Sequence, residues 1–261
     1  MKNAIKTPLW LCAALAIMFL ATSAFATTVS MEYTGPIGQA PNMGGAYTSP
    51  YTALIGPAGQ TVATITGVPT QVICDDFVTN VDQNTPPWQA VVTSLNALAG
   101  ESTASSVVKF DQTATAAQQM TDYTAASYLA FELMNVDQST PAGQTLAGEL
   151  SFAIWGLFDP TSSDPNGPFS GQWITGTHLT NAENDLTNAF NWVSTNNANP
   201  GNFTALTGAT ITIYTPTPLG ASQEYLNVST PEAPAPVLLA VDLLGILAIV
   251  AFFRRRLFQN A

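Results

Sequence analysis

Apolar positions along this chain recur with two different periods. Thr27 to Gly67 is rich in Gly, Pro, Thr and Tyr and carries short apolar alternations such as TVATITGV, which predict short strands joined by turns. A second strand is predicted at TQVICDDFVTNV and a third at Trp88 to Leu95, WQAVVTSL, where β-branched residues dominate. The period then lengthens. Met120, Tyr123, Ala126, Ala130, Leu133 and Met134 share one face at helical spacing. Thr140-Pro141 starts a second helix, with Thr as N-cap and Pro at the first helical position, and Leu146, Leu150, Ile154 and Leu157 as its apolar stripe. Thr180 and Glu183 have the spacing of a capping box for a third helix, with Ala182, Leu186, Ala189, Phe190 and Val193 facing inward. Strand patterns return at ATITIYT and QEYLNVS. The order of strands, three helices and strands predicts one α+β domain: a mostly antiparallel β-sheet or barrel with an inserted three-helix segment.

The two ends follow neither period. Lys2 and Lys6 precede an uncharged apolar run from Leu9 to Leu20, and Ala24-Phe25-Ala26 gives the small-x-small pattern of a signal cleavage site. This is a secretory signal over residues 1–26, which leaves Thr27 as the first residue after cleavage. At the other end, residues 227–236 form a Pro-rich linker. Val237 to Phe253 is apolar apart from Asp242, and Arg254, Arg255 and Arg256 follow it. As a helix that run reaches about 25 Å, the short end for a bilayer span. The arginines then act as a cytoplasmic stop, which places a membrane helix at 237–256 and the domain at 27–226 outside.

Pro231-Glu232-Ala233-Pro234, the apolar run and the terminal arginine cluster, in that order, resemble the PEP-CTERM sorting signal. The resemblance covers about the last thirty residues. It implies a protein exported by a Gram-negative bacterium, handled by the export machinery and an exosortase, and either held by its membrane helix or released to the surface after C-terminal processing.

Charge narrows the partners. Between Thr27 and Thr230 there are fifteen acidic residues and one basic residue, Lys109. A domain this acidic lacks the basic patches that neutralise phosphates, which excludes nucleic acid. It is also repelled by anionic membrane surfaces and anionic polysaccharide, leaving an uncharged polysaccharide or a surface protein as the ligand classes. No cofactor or metal motif is visible: there is no Gly-rich phosphate loop, zinc cluster or serine triad. Asp159, Asp164 and Asn166 could offer oxygen atoms but lack the spacing of a calcium loop.

Cys74 is the single cysteine between the two end signals, so no internal disulfide forms in the exported domain. It is a buried small hydrophobe, a reactive thiol or an intermolecular partner. His178, the only histidine, lies about a hundred residues away in a loop, and nothing in the sequence orients the two as nucleophile and base. Asp75 and Asp76 are adjacent and, if on a strand, point to opposite faces.

VICDDF (residues 72–77) and GELSFAIWGLFDP (residues 148–160), with the Tyr-Leu-Ala run at Tyr128 between them, are similar to the core of a common group of exported PEP-CTERM proteins. They also resemble the thioester domains of Gram-positive surface adhesins, which carry a Cys on an early strand and Thr-Gln-x-Ala-Ile-Trp on a helix. Cys74 matches that cysteine, and Ala153-Ile154-Trp155 match the end of the helical motif. The resemblance implies a shared fold over Gln71 to Ala221. The chemistry it would imply needs a Gln to supply the acyl carbon, and Ser151 stands in that place, with Leu150 where Thr belongs. Three functions follow as expectations: a non-enzymatic surface or matrix protein, a covalent adhesin using Cys74, and a secreted hydrolase with an unrecognised site.

Overall fold

The computed structural model describes residues 27–36, 42–48, 50–60, 65–79, 85–159 and 167–230. Six antiparallel strands close into a barrel: β1 (Thr27–Pro36), β4 (Tyr51–Pro57), β5 (Val68–Cys74), β8 (Tyr225–Ser229), β7 (Thr210–Thr217) and β6 (Trp88–Ser94), in that order around the ring. β1 also pairs with β6, with Thr27 opposite Val92, and this ladder completes the closure. Two short strands, β2 (Asn42–Met43) and β3 (Ala46–Tyr47), form a separate hairpin. Between β6 and β7 lie a 3₁₀ turn (Leu95–Gly100) and the helices α1 (Ala116–Met134), α2 (Pro141–Phe158), α3 (Gly176–Thr195) and the single-turn α4 (Phe203–Thr207). Of the two expected forms, sheet or barrel, the barrel is the one observed, and its insert holds the three expected helices plus the 3₁₀ turn and the single-turn α4.

Period-two alternation sorts the strand side chains into two cores. Met31, Tyr33, Tyr51, Ala53, Val72, Cys74, Trp88, Ala90 and Tyr225 fill the barrel interior. The ring pairs Tyr33–Tyr51 (5.6 Å) and Trp88–Tyr225 (6.2 Å) give that interior its bulk. Their neighbours Ile73, Ile211, Ile213 and Leu226 belong to a second core shared with the helices. Successive residues such as Ile73 and Cys74 therefore serve different cores.

The helices start and stop where local chemistry directs. Thr115 caps α1 by accepting from the amide of Gln118. Thr140 caps α2 through Gly143 N, with Pro141 at its first position, as the sequence implied. From Ala147 to Leu157 every α2 residue is buried, because α1 and α3 both pack on it.

Several local expectations differ. Leu146, assigned to the α2 stripe, is 41% exposed, because it precedes the enclosed part of the helix. α3 starts at Gly176, four residues before the expected cap. Thr180 lies inside it and donates to the carbonyl of Gly176. Leu95 opens the 3₁₀ turn, capped by Ser94, instead of ending the third strand. Ile65 to Gly67 are not strand, and β5 begins at Val68. Asn227, Val228 and Ser229, read from sequence as the start of the linker, complete β8.

Among the described residues no helix is long and apolar enough to cross a membrane. Ala24, Ala26, the sorting residues Pro231, Glu232, Pro234, Arg254, Arg255 and Arg256, and the apolar run at 237–253 lie outside the described residues.

Candidate functional site

β5 delivers Cys74 to the bottom of the barrel wall, and α2 crosses behind it. The Cys74 thiol is fully buried and donates to the carbonyl of Asp76 at 3.1 Å, while the amide of Asp76 approaches the sulfur at 3.4 Å. The carbonyl of Cys74 accepts the indole N–H of Trp155 at 3.0 Å. Phe77 packs over this junction, its ring 5.1 Å from that of Trp155 and 5.6 Å from that of Trp173. Burial pushes the thiol well above its ordinary range, and the charges of Asp76 and Asp75 push the same way. A protonated thiol in such surroundings is a poor nucleophile.

Ser151 lies one helical turn before Trp155, so both side chains are on the same face of α2. Its hydroxyl donates to the carbonyl of Ala147 at 2.8 Å. Two glutamines that flank the position of the missing acyl donor are engaged or exposed: Gln144 donates to the carbonyl of Gln138 at 3.2 Å, and Gln172 is exposed.

His178 does not join Cys74. It occupies the first turn of α3 and pairs through Nδ1 with Glu149 Oε1 at 2.7 Å, on the other side of α2. Asn181 donates to the same oxygen at 2.9 Å. Asp185 extends this group: burial and the charges of Glu149 and Glu132 raise its pKa to about 6. Asp159 ends α2, and Asp164 and Asn166 lie outside the described residues. Among the described residues no group of three or more His, Cys, Asp or Glu side chains is placed to hold a metal ion.

The densest polar site is one that the sequence reading missed. β5 ends at Cys74, so Asp75 and Asp76 are not strand residues with opposed side chains; both are buried in the turn that follows. Glu224, just before β8 and fully buried, is the centre. Tyr123 of α1 donates its hydroxyl to Glu224 Oε1 at 2.5 Å. The Thr215 hydroxyl and the Lys109 amide, the latter at 2.8 Å, donate to Oε2. Asp75 lies against Glu224 with both its carboxyl oxygens buried and without a donor from other groups. Burial first, then the charges of Glu224 and Asp76, hold its pKa well above the usual range. Burial raises the pKa of both carboxyls, but the donors from Tyr123, Thr215 and Lys109 favour the charged form of Glu224, so Asp75 is the one that keeps a proton more readily.

Beside this pair the Lys109 ammonium meets Asp76 Oδ2 and donates to Thr79 Oγ1 at 2.7 Å. The Asp76 side chain is wholly buried and that of Lys109 is 15% exposed. Gln223 donates to the carbonyl of Asp76 at 3.0 Å. The sequence did hold a signal for this site: a single lysine in a domain with fifteen carboxylates must meet one of them wherever its ammonium is buried.

No family model matches the sequence, and no curated protein matches it significantly. Two solved structures show a distant likeness. One is the N-terminal domain of the Streptococcus pyogenes pilus tip adhesin Cpa, at TM-score 0.38 and 10% identity, covering 79% of this chain and 95% of that one. The other is the N-terminal thioester domain of a protein F2 like fibronectin-binding protein from Streptococcus pneumoniae, at TM-score 0.34 and 12% identity, covering 77% and 94%. At these scores the likeness carries no further inference.

Proposed function

We propose that this chain is an exported surface protein of the bacterial envelope or matrix. Its domain is a non-enzymatic binding module of adhesin type that holds its partner without a thioester. The observation that carries this reading is the state of the Cys74 thiol together with a serine, at position 151, where the acyl donor belongs. The thiol is buried, protonated and bonded to Asp76, and the side chain in the acyl-donor position is a hydroxyl turned back on its own helix. A thioester needs a carboxamide carbon at that position, and serine has none. The signal at residues 1–26 and the tail from Pro231 support export and retention at the envelope, with an exosortase as the processing partner. The acidic, mostly uncharged polar surface suits an uncharged polysaccharide or a surface protein as ligand.

The test is peptide-level mass spectrometry of the mature protein with and without methylamine. The Cys74 peptide is expected at its full mass, with no ammonia deficit and no methylamine adduct on any glutamine. An ammonia deficit that disappears in Cys74→Ala would mean that another glutamine, such as Gln144 or Gln172, supplies the acyl group, and would make the protein a covalent adhesin.

A further inference from the structure

We propose that Lys109 and Asp76 form an intramolecular amide bond, and that the Asp75–Glu224 acid pair carries the protons for it. The inference is independent of the reading above. It rests on four observations. The Lys109 Nζ is in direct contact with Asp76 Oδ2, whose side chain is wholly buried. Asp75, 1% exposed, turns a carboxyl group without an outside donor toward Glu224 and next to Asp76. Glu224 is clamped by Tyr123, Thr215 and the amide of Lys109 itself, so the acid pair and the amine are held by the same residue. Phe110, Phe158 and Tyr123 pack against one another beside Lys109, with the Phe110 and Phe158 rings stacked at 4.5 Å.

Each observation favours condensation over a lasting ion pair. Amine and carboxyl are presented as one unit, which removes the entropy of encounter. The surroundings are largely closed to water, which disfavours charge and the reverse hydrolysis. A neutral acid and a carboxylate side by side can take one proton and give another. The balance is simple. The ammonium of Lys109 yields a proton to the Glu224 carboxylate, and the freed Nζ attacks Cγ of Asp76. The C–N bond forms, and one oxygen of the Asp76 carboxyl leaves as water, carrying the two protons that nitrogen gives up, relayed by Asp75 and Glu224. An ammonium and a carboxylate become one amide and one water, with no oxidant, metal or cofactor. The bond would tie the end of β5 to the segment that leads into α1.

The wild-type mature protein decides the matter. Lys109 is the one Lys or Arg between Thr27 and Phe253, so trypsin has a single target there, and an acylated Nζ is not a target. The denatured protein is expected to lack the mass of one water, to resist trypsin after Lys109, and to release on other proteolysis a branched peptide joining the Asp76 and Lys109 segments. Lys109→Arg, which keeps the charge but cannot form the bond, should show the full mass and be cut at 109. Glu224→Gln should fold, judged by circular dichroism, yet stay at full mass. A wild-type chain of full calculated mass that trypsin cleaves after Lys109 overturns the proposal. A linked Glu224→Gln chain overturns the proton-carrying role. A thioester would instead lose ammonia and involve Cys74, so failure here and failure of the preceding reading appear on different peptides.

Discussion

The indole N–H of Trp155 donates to the carbonyl of Cys74 at 3.0 Å, bridging 81 residues of sequence. β5 ends at this residue, and α2 supplies a donor to its carbonyl. One bond thus locks α2 against the barrel at the point where Phe77, Phe152 and Trp173 converge.

Trp155→Phe retains most of the aromatic packing but strips the donor from a buried carbonyl. The expected loss is about 1–3 kcal/mol of stability, the cost of an unsatisfied buried polar group. Urea unfolding followed by tryptophan fluorescence of the remaining indoles measures it. A midpoint equal to wild type would show that water replaces the indole without cost.

Gly156 is the next residue of α2, and a Cβ there would lie 2.1 Å from the ring of Phe169. Gly156→Ala gains helix propensity but overpacks the core, and the second effect is larger: a net destabilisation of about 1–3 kcal/mol is expected. Phe169→Leu in the same chain should restore part of it, because the ring edge that clashes is gone. A Gly156→Ala chain melting at or above the wild-type temperature would contradict this packing.

Acid should stabilise the fold. Asp122 and Asp185 are both raised to about 6, chiefly by burial, with Asp111 beside the first and Glu149 and Glu132 beside the second. In the unfolded chain they titrate near 4, so between about 4 and about 6 the folded state binds more protons. Stability therefore falls as pH rises through that window. Thermal melting at pH 5 should exceed that at pH 7. Asp185→Asn should reduce the difference, since Asp185 Oδ2 is buried without a donor. A melting temperature that climbs steadily from pH 5 to pH 7 would refute the sign.

The native Cys74 thiol should resist thiol reagents. Its side chain is buried and protonated. Ellman's reagent is expected to titrate less than a tenth of the thiol in the folded mature protein and all of it in guanidinium. Stoichiometric reaction of the native protein would mark Cys74 as a working nucleophile and reopen the covalent reading.

Export should leave Thr27 at the N-terminus, and neutral residues in place of Arg254, Arg255 and Arg256 should weaken retention in the membrane fraction. N-terminal sequencing and fractionation check both. Intact Met1 in the envelope, or unchanged retention of the arginine-free variant, would remove the two end signals from the account.

The sequence by itself determined what local physics controls. The switch from period two to period 3.6 placed the helical insert between strands. Thr140-Pro141 set the start of α2, because a cap and a preset φ act over a single turn. Thr180 and Glu183 misled for the same reason: a capping box is only a spacing, and α3 had already begun at Gly176. Cys74 and Trp155 could be singled out from their motifs, and the serine at position 151 argued against a thioester before any coordinates.

Tertiary structure alone decided the rest. Sequence could not choose between sheet and barrel, because closure depends on β1 meeting β6 and β5 meeting β8, pairings between distant segments. Nor could it show that Asp75, Asp76, Lys109, Tyr123, Thr215 and Glu224 share one site. Lys109 and Glu224 are 115 residues apart and have no periodicity in common. Only the folding of α1 across the barrel's β5–β8 side buries these charges together, and burial, more than the identity of the residues, gives the site its chemistry.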